Sequence, residues 1–166
     1  MEILTLVHVA LSLAGILAGL VVLFGLIGGK RLDGWTAVFL VTTIATSVTG
    51  FFFPVQHFMP SHAIGILSLI ALGIALAARY PREMAGAWRR TYVISAAIAL
   101  YFNVFVLVVQ LFRKVPALKE LAPTQSEPPF VATQVAVMAL FIVLTVLAAK
   151  NFRGEGAHAV ARPVSA

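Results

Sequence analysis

Apolar residues fall into five long runs, residues 4–27, 35–53, 61–78, 92–112 and 130–149, and polar residues gather in the breaks between them. Each run comes close to or exceeds the roughly 20 mainly apolar residues that an α-helix needs to cross the hydrocarbon core of a bilayer. The breaks read GGKRLDGW, PVQHFMPSH, RYPREMAGAWRR and RKVPALKELAPTQSEPPF, the last with four prolines, and a polar tail follows Lys150. No internal repeat and no second domain is visible. The pattern predicts an all-α polytopic membrane protein: one bundle of five transmembrane helices within residues 1–152 and a polar tail at 153–166. The first run is longer than a secretory h-region, has no basic residue before it and lacks a small-residue cleavage site, so it is expected to be retained.

Composition agrees with the pattern. With 61% hydrophobic residues, 11% charged residues and a mean hydropathy of +1.01, the chain has too little polar surface to cover a water-soluble globule. The net charge of +6 raises the question of nucleic acid, but the Lys and Arg residues sit in short clusters between apolar runs, which is not a nucleic-acid footprint. Their distribution speaks to topology instead. Lys30, Arg31, Arg79, Arg82, Arg89, Arg90, Lys150, Arg153 and Arg162 fall on one side of the five spans, against Arg113, Lys114 and Lys119 on the other. Basic residues in short loops stay cytoplasmic, so the amino terminus and the loops holding HFMPSH and PTQSEPPF are expected outside and the carboxyl terminus inside. Trp35 and Trp88 then lie at cytoplasmic helix ends, where indoles anchor at the interface. Cysteine is absent, so any metal site must use His, Met, carboxylate or amide ligands.

That orientation brings polar residues to the outer side. His8 lies about one turn into the first helix, while His57 and His62 flank the break that also holds Met59. A histidine inside a spanning segment is costly and is a functional candidate for that reason. Imidazole and thioether suit copper, and paired imidazoles suit haem iron. His8 and His62 are therefore first-choice ligands for haem b or copper, with His57, Met59 and Glu127 as further candidates. The alternative is purely local: Pro60 and Ser61 start the third helix, and the imidazoles are interfacial side chains. Tyr92, Asn103, Gln110 and Lys114 share one face of the fourth helix and rise towards the histidines, and Gln134 lies one turn inside the fifth. The hydroxyls of Thr42, Thr43, Thr46, Ser47 and Thr49 either line a polar path or bond back to carbonyls of their own helix. Residues 122–130, stiffened by Pro123, Pro128 and Pro129, form either a lid that carries Glu127 to the histidines or a solvated connector. Arg113, Lys114 and Lys119 either pair with Glu120 and Glu127 or attract an anion such as a haem propionate.

Hydrolase and nucleotide-binding chemistry have little support in the sequence. There is no Ser, His and Asp constellation for hydrolysis, the only Asp is Asp33, and GGKRLDG lacks P-loop spacing. The early histidine, TSVTGF at residues 46–51, PSH at 60–62, GAWRRTYV at 86–93 and APTQSEPPF at 122–130 together resemble small bacterial inner-membrane proteins of the domain-of-unknown-function type. The likeness covers most of the chain and implies a multi-pass protein of the bacterial inner membrane, with no established activity. A vaguer likeness to cytochrome b561-type bundles implies haem held between histidines on facing helices. The chain departs from that pattern in lacking two matched pairs of histidines deep in helices. Three functions remain: a His-lined redox or metal site, an accessory or assembly subunit of a larger membrane complex, and a small-solute or proton pathway. Gly15 and Gly19, a GxxxG pair, would serve a homodimer or internal packing.

Overall fold

A computed structural model describes residues 2–53 and 60–153, and its regular elements there are all helices. The described residues form α1 (Glu2–Ile27), α2 (Asp33–Gly50), α3 (Pro60–Arg79), α4 (Trp88–Lys114), α5 (Pro116–Leu121) and α6 (Pro128–Asn151). Helices α1, α3, α4 and α6 are long and apolar enough to cross a membrane. The helix α2 is shorter, at 18 residues, and rich in hydroxyls. Those hydroxyls bond mainly within their own helix: Thr42 donates to the Val38 carbonyl at 2.7 Å, Thr46 to Thr42 at 2.8 Å and Thr49 to Ala45 at 2.7 Å. This back-bonding satisfies the hydroxyls on the backbone of their own helix.

Element boundaries follow local chemistry. Helix α4 starts at Trp88, four residues ahead of its apolar run, because Arg89, Arg90 and Thr91 continue the helix without joining the apolar pattern. Helix α2 stops at Gly50, where the Phe51 and Phe52 amides turn back to the Val48 and Thr49 carbonyls at 3.1 Å each. Helix α5 was not foreseen from hydropathy, since it is too short to span. Its cause is local: Pro116 occupies the first turn with a backbone angle already set for helix, and the strong helix formers Ala117, Leu118, Lys119 and Glu120 follow.

Successive long helices alternate in direction. Between α1 and α2, His8 meets Thr49, Gly15 faces Thr43, Gly19 faces Phe39 and Gly25 faces Leu32, an antiparallel register. Helices α2 and α3 are joined by Ser47 to Ser68 at 3.3 Å near one end and by Asp33 to Arg79 at the other. Helices α4 and α6 pair through Phe112 with Phe130 and Tyr101 with Phe141, with ring centroids 5.3 and 5.7 Å apart. Helix α4 is the hub, packing against α1, α3, α5 and α6. Its inner face, with Tyr92, Val93, Ala96, Ala99 and Leu100, is buried against Val22, Phe39, Leu72 and Ala75. A β-carbon on Gly19 would lie 2.5 Å from Leu100 Cδ1 and 2.8 Å from Phe39 Cδ2, so the GxxxG pair lets α1 approach α2 and α4 within one chain.

The alternation gives the bundle two chemically distinct ends. Lys30, Arg31, Arg79, Arg82, Arg89, Arg90, Lys150 and Arg153 collect at one, the basic end, tied together by Asp33 to Arg79, by Arg89 Nη1 donating to the Arg153 carbonyl at 2.6 Å, and by Asn151 donating to the Ile27 carbonyl at 3.1 Å. His8, His62 and the loop between α4 and α6 lie at the opposite, histidine end.

Candidate functional site

At the histidine end, α1 presents His8 to the last turn of α2. His8 Nδ1 is 2.9 Å from Thr49 Oγ1. A threonine hydroxyl has one proton to give, and Thr49 directs its proton to backbone carbonyls, at 2.7 Å from Ala45 and 3.1 Å from Thr46. Thr49 Oγ1 is thus available as an acceptor for His8 Nδ1, and an imidazole that donates there would carry its lone pair on Nε2. No hydrogen bond to Nε2 occurs among the described residues. The ring is half-buried and meets Phe53 in a T-shaped contact, at a centroid distance of 5.2 Å and an interplanar angle of 87°. Gly50 sits beside it, where a β-carbon would lie 3.6 Å from His8 Cε1.

His62 enters from α3 and is also half-buried. Its ring lies 5.7 Å from that of Phe51, which reaches α3 because Gly65 has no β-carbon: one built there would be 3.2 Å from Phe51 Cζ. Phe51 and Phe53, two residues apart at the end of α2, thus contact His62 and His8 respectively. His57 and Met59 lie outside the described residues. Among the described residues no group of three or more His, Asp or Glu side chains forms a metal-holding cluster.

Glu127 is occupied within its own loop. One carboxylate oxygen accepts from Thr124 N at 3.0 Å and Thr124 Oγ1 at 2.9 Å, and the other accepts from Ser126 N at 3.1 Å. The Thr124 amide, foremost among these donors, holds the Glu127 carboxyl below the usual carboxylate range. Gln125, at a left-handed φ of 61°, donates from Nε2 to the Val109 carbonyl at 2.9 Å and fastens the loop to α4. Phe112, Arg113, Lys119, Pro123, Thr124 and Gln125 line a cavity of about 300 Å³ there, and no histidine borders it.

The polar stripe of α4 is interrupted. Tyr92 and Asn103 are buried, but Gln110 and Lys114 are exposed, because neighbouring helices no longer cover that face near the histidine end. Asn103 is matched across the bundle: Ser12 Oγ donates to its Oδ1 at 2.8 Å, and its Nδ2 donates to the Ser12 carbonyl at 3.4 Å. Thr43 Oγ1 lies beside this pair at Gly15, buried and with no hydrogen-bond partner among the described residues. Gln134 on α6 donates to the Phe105 carbonyl at 3.3 Å, while its Oε1 is buried and unmatched among the described residues. Asn103 thus reads as interhelical glue, whereas Gln134 is only half satisfied.

Sequence reasoning missed the tightest polar cluster, at the basic end. Arg79 closes α3 and is 2% exposed, so its guanidinium is buried. It pairs with Asp33 in the first turn of α2, and Asp33 also accepts from Arg31 Nε at 2.8 Å. The guanidinium lies 5.1 Å from the Tyr92 ring centroid and 5.9 Å from that of Tyr80. Met84, at a left-handed φ of 56°, folds back to donate its amide to the Ala78 carbonyl at 2.9 Å and to place its sulfur near Arg79. The available signal was that the only Asp sits at a helix start one hairpin away from an Arg that ends the next helix. This cluster locks α2, α3 and α4 together. Comparison of the chain with protein-family models, curated proteins and solved structures finds no match.

Proposed function

We propose that the protein is a five-span protein of the bacterial inner membrane, amino terminus outside, whose histidine end binds a transition metal or haem b through His8 Nε2 in a redox role. The observation that carries this reading is the 2.9 Å contact between His8 Nδ1 and Thr49 Oγ1. Metal-bound imidazoles characteristically donate their other N–H to a protein oxygen, which orients the ring and leaves the opposite nitrogen as ligand. Thr49 supplies that oxygen. His62 is the second ligand of this reading, with His57 and Met59 completing the set, and Glu127 drops from it because its carboxylate serves the loop. The metal would supply electron transfer; the chain's own contribution is to fix the imidazole, shield it with Phe53 and hold it at one end of the bundle.

The test is titration of the purified protein with haemin and, separately, with Cu(I) and Cu(II), followed optically. Near-stoichiometric binding that is lost in His8→Ala and weakened about 10-fold or more in Thr49→Val supports the reading, since loss of an outer hydrogen bond to a ligand typically costs about 10- to 100-fold in metal affinity. Binding unaltered in His8→Ala overturns it.

A second reading, an accessory subunit of a larger complex, is favoured by α6. Only Gln134, Phe141 and Ala148 of that helix are buried, while Val131, Val135, Met138, Ile142 and Val146 are exposed. It expects cross-linking from Met138 to another membrane protein under native expression; cross-links to lipid alone would remove it.

A further inference from the structure

The described charges are split unevenly between the two ends of the bundle. The basic end holds Lys30, Arg31, Arg79, Arg82, Arg89, Arg90, Lys150 and Arg153 against only Asp33 and Glu83, while the histidine end balances Arg113, Lys114 and Lys119 with Glu2, Glu120 and Glu127. All of the net positive charge of the described residues is therefore at one end. Part of it is already engaged: Asp33 answers Arg31 and Arg79, and Arg89 Nη1 is held by the Arg153 carbonyl. Lys30, Arg82, Arg90 and Lys150 have no carboxylate partner among the described residues.

The same end carries the aromatic side chains that favour the lipid–water boundary. Trp35 is 50% exposed, Tyr80 53% and Trp88 37%, so each has an apolar body available to acyl chains beside a polar edge. Arg82 lies over the Trp88 ring at 4.8 Å, which holds its guanidinium at the level of the indole. A planar fork of N–H donors at that depth suits the oxygens of a phosphodiester.

We propose that the basic end, centred on Arg82, Trp88 and Arg90 with Lys30 and Lys150 at its margin, is a binding surface for the headgroups of anionic phospholipids. The complementarity lies in uncompensated cations set beside interfacial indoles, which match a phosphate adjoining an acyl chain; a soluble anion would use the cations alone. The surface requires only that the bundle sits in a membrane, and its test is independent of the His8 site.

The experiment uses the full chain in a neutral detergent, with thermal unfolding and native mass spectrometry as readouts. Phosphatidylglycerol, phosphatidylcholine and inorganic phosphate are added separately at matched concentration. The expected result is retention of phosphatidylglycerol and a raised unfolding temperature with that lipid only, both reduced at high salt. Each basic residue near an anionic surface contributes a factor of about 5, so Arg82→Gln with Arg90→Gln should weaken retention about 30-fold. Lys114→Gln with Lys119→Gln, at the opposite end, should leave it unchanged. Equal stabilisation by phosphatidylcholine, equal stabilisation by inorganic phosphate, or equal loss in the Lys114/Lys119 variant would each overturn the proposal. Should the Arg82/Arg90 variant fail to fold, Lys30→Gln with Lys150→Gln tests the same surface from its margin, and retention as strong as in the parent protein would overturn it.

Discussion

Removing Asp33 should harm this protein more than removing the arginine that Asp33 holds. Arg79 is 2% exposed, so Asp33→Ala leaves a buried guanidinium without a carboxylate. Breaking a fully buried ion pair from one side costs about 3–5 kcal/mol. The Asp33 side chain, however, is 67% exposed, so water already screens the pair, and about 2–3 kcal/mol is the better figure. Arg79→Met is a different perturbation. It removes the buried charge, keeps an unbranched apolar stem with sulfur near the Tyr80 and Tyr92 rings, and leaves Asp33 with Arg31 at 2.8 Å. Its cost is the lost cation–π contact, about 1 kcal/mol. The double variant should therefore be more stable than Asp33→Ala alone, because no buried charge remains to be stranded. The assay is reversible unfolding in mixed micelles with rising SDS fraction, followed by helical circular dichroism. A double variant whose loss equals the sum of the two single losses would show instead that Asp33 and Arg79 contribute independently.

Two further outcomes follow from packing and from the loop. Gly19→Val should destabilise by about 2–3 kcal/mol in the same assay through overpacking against Leu100 and Phe39, whereas Gly73→Ala, which meets nothing within 4 Å, should be neutral or stabilising by up to about 1 kcal/mol. Equal effects at the two sites would contradict the packing of α1 on α2 and α4. Glu127 has a lowered pKa, so its hold on the loop is present above the ordinary carboxylate range and is lost as pH falls through that lowered value. Amide exchange at Thr124 should accelerate over that acid window in the parent protein and be fast and pH-insensitive, once intrinsic exchange is corrected for, in Glu127→Ala; protection unchanged by the substitution would show that the carboxylate is not the clasp.

The helices were legible because long apolar runs leave a backbone few alternatives, and four of the five runs form helices long and apolar enough to span. The fifth, α2, trades length and hydropathy for hydroxyls that bond to their own backbone, so its hydropathy understates how well it fits among its neighbours. Helix α5 escaped notice because six residues opened by a proline carry no periodic signal. At the site, the sequence indicated which residues were expensive to bury but not how they were matched. Asn103 is matched to Ser12, Glu127 turns to its own loop, and Gln110 is exposed although it lies on the same helix face as Tyr92. Arg79 misled in the other direction. Its place among basic residues at a helix end suggested topology alone, and only the return of α2 beside α3 reveals the ion pair.

The proposed site stands or falls on His8 as a ligand at the histidine end. The most direct measurement is an absorption spectrum with metal analysis on protein purified in mild detergent from its native membrane, for the parent chain and for His8→Ala and His62→Ala. The expected result is haem or copper at near-stoichiometric ratio in the parent chain, absent from His8→Ala and reduced in His62→Ala. A parent chain free of haem and transition metal, or a signal that survives His8→Ala, would contradict it.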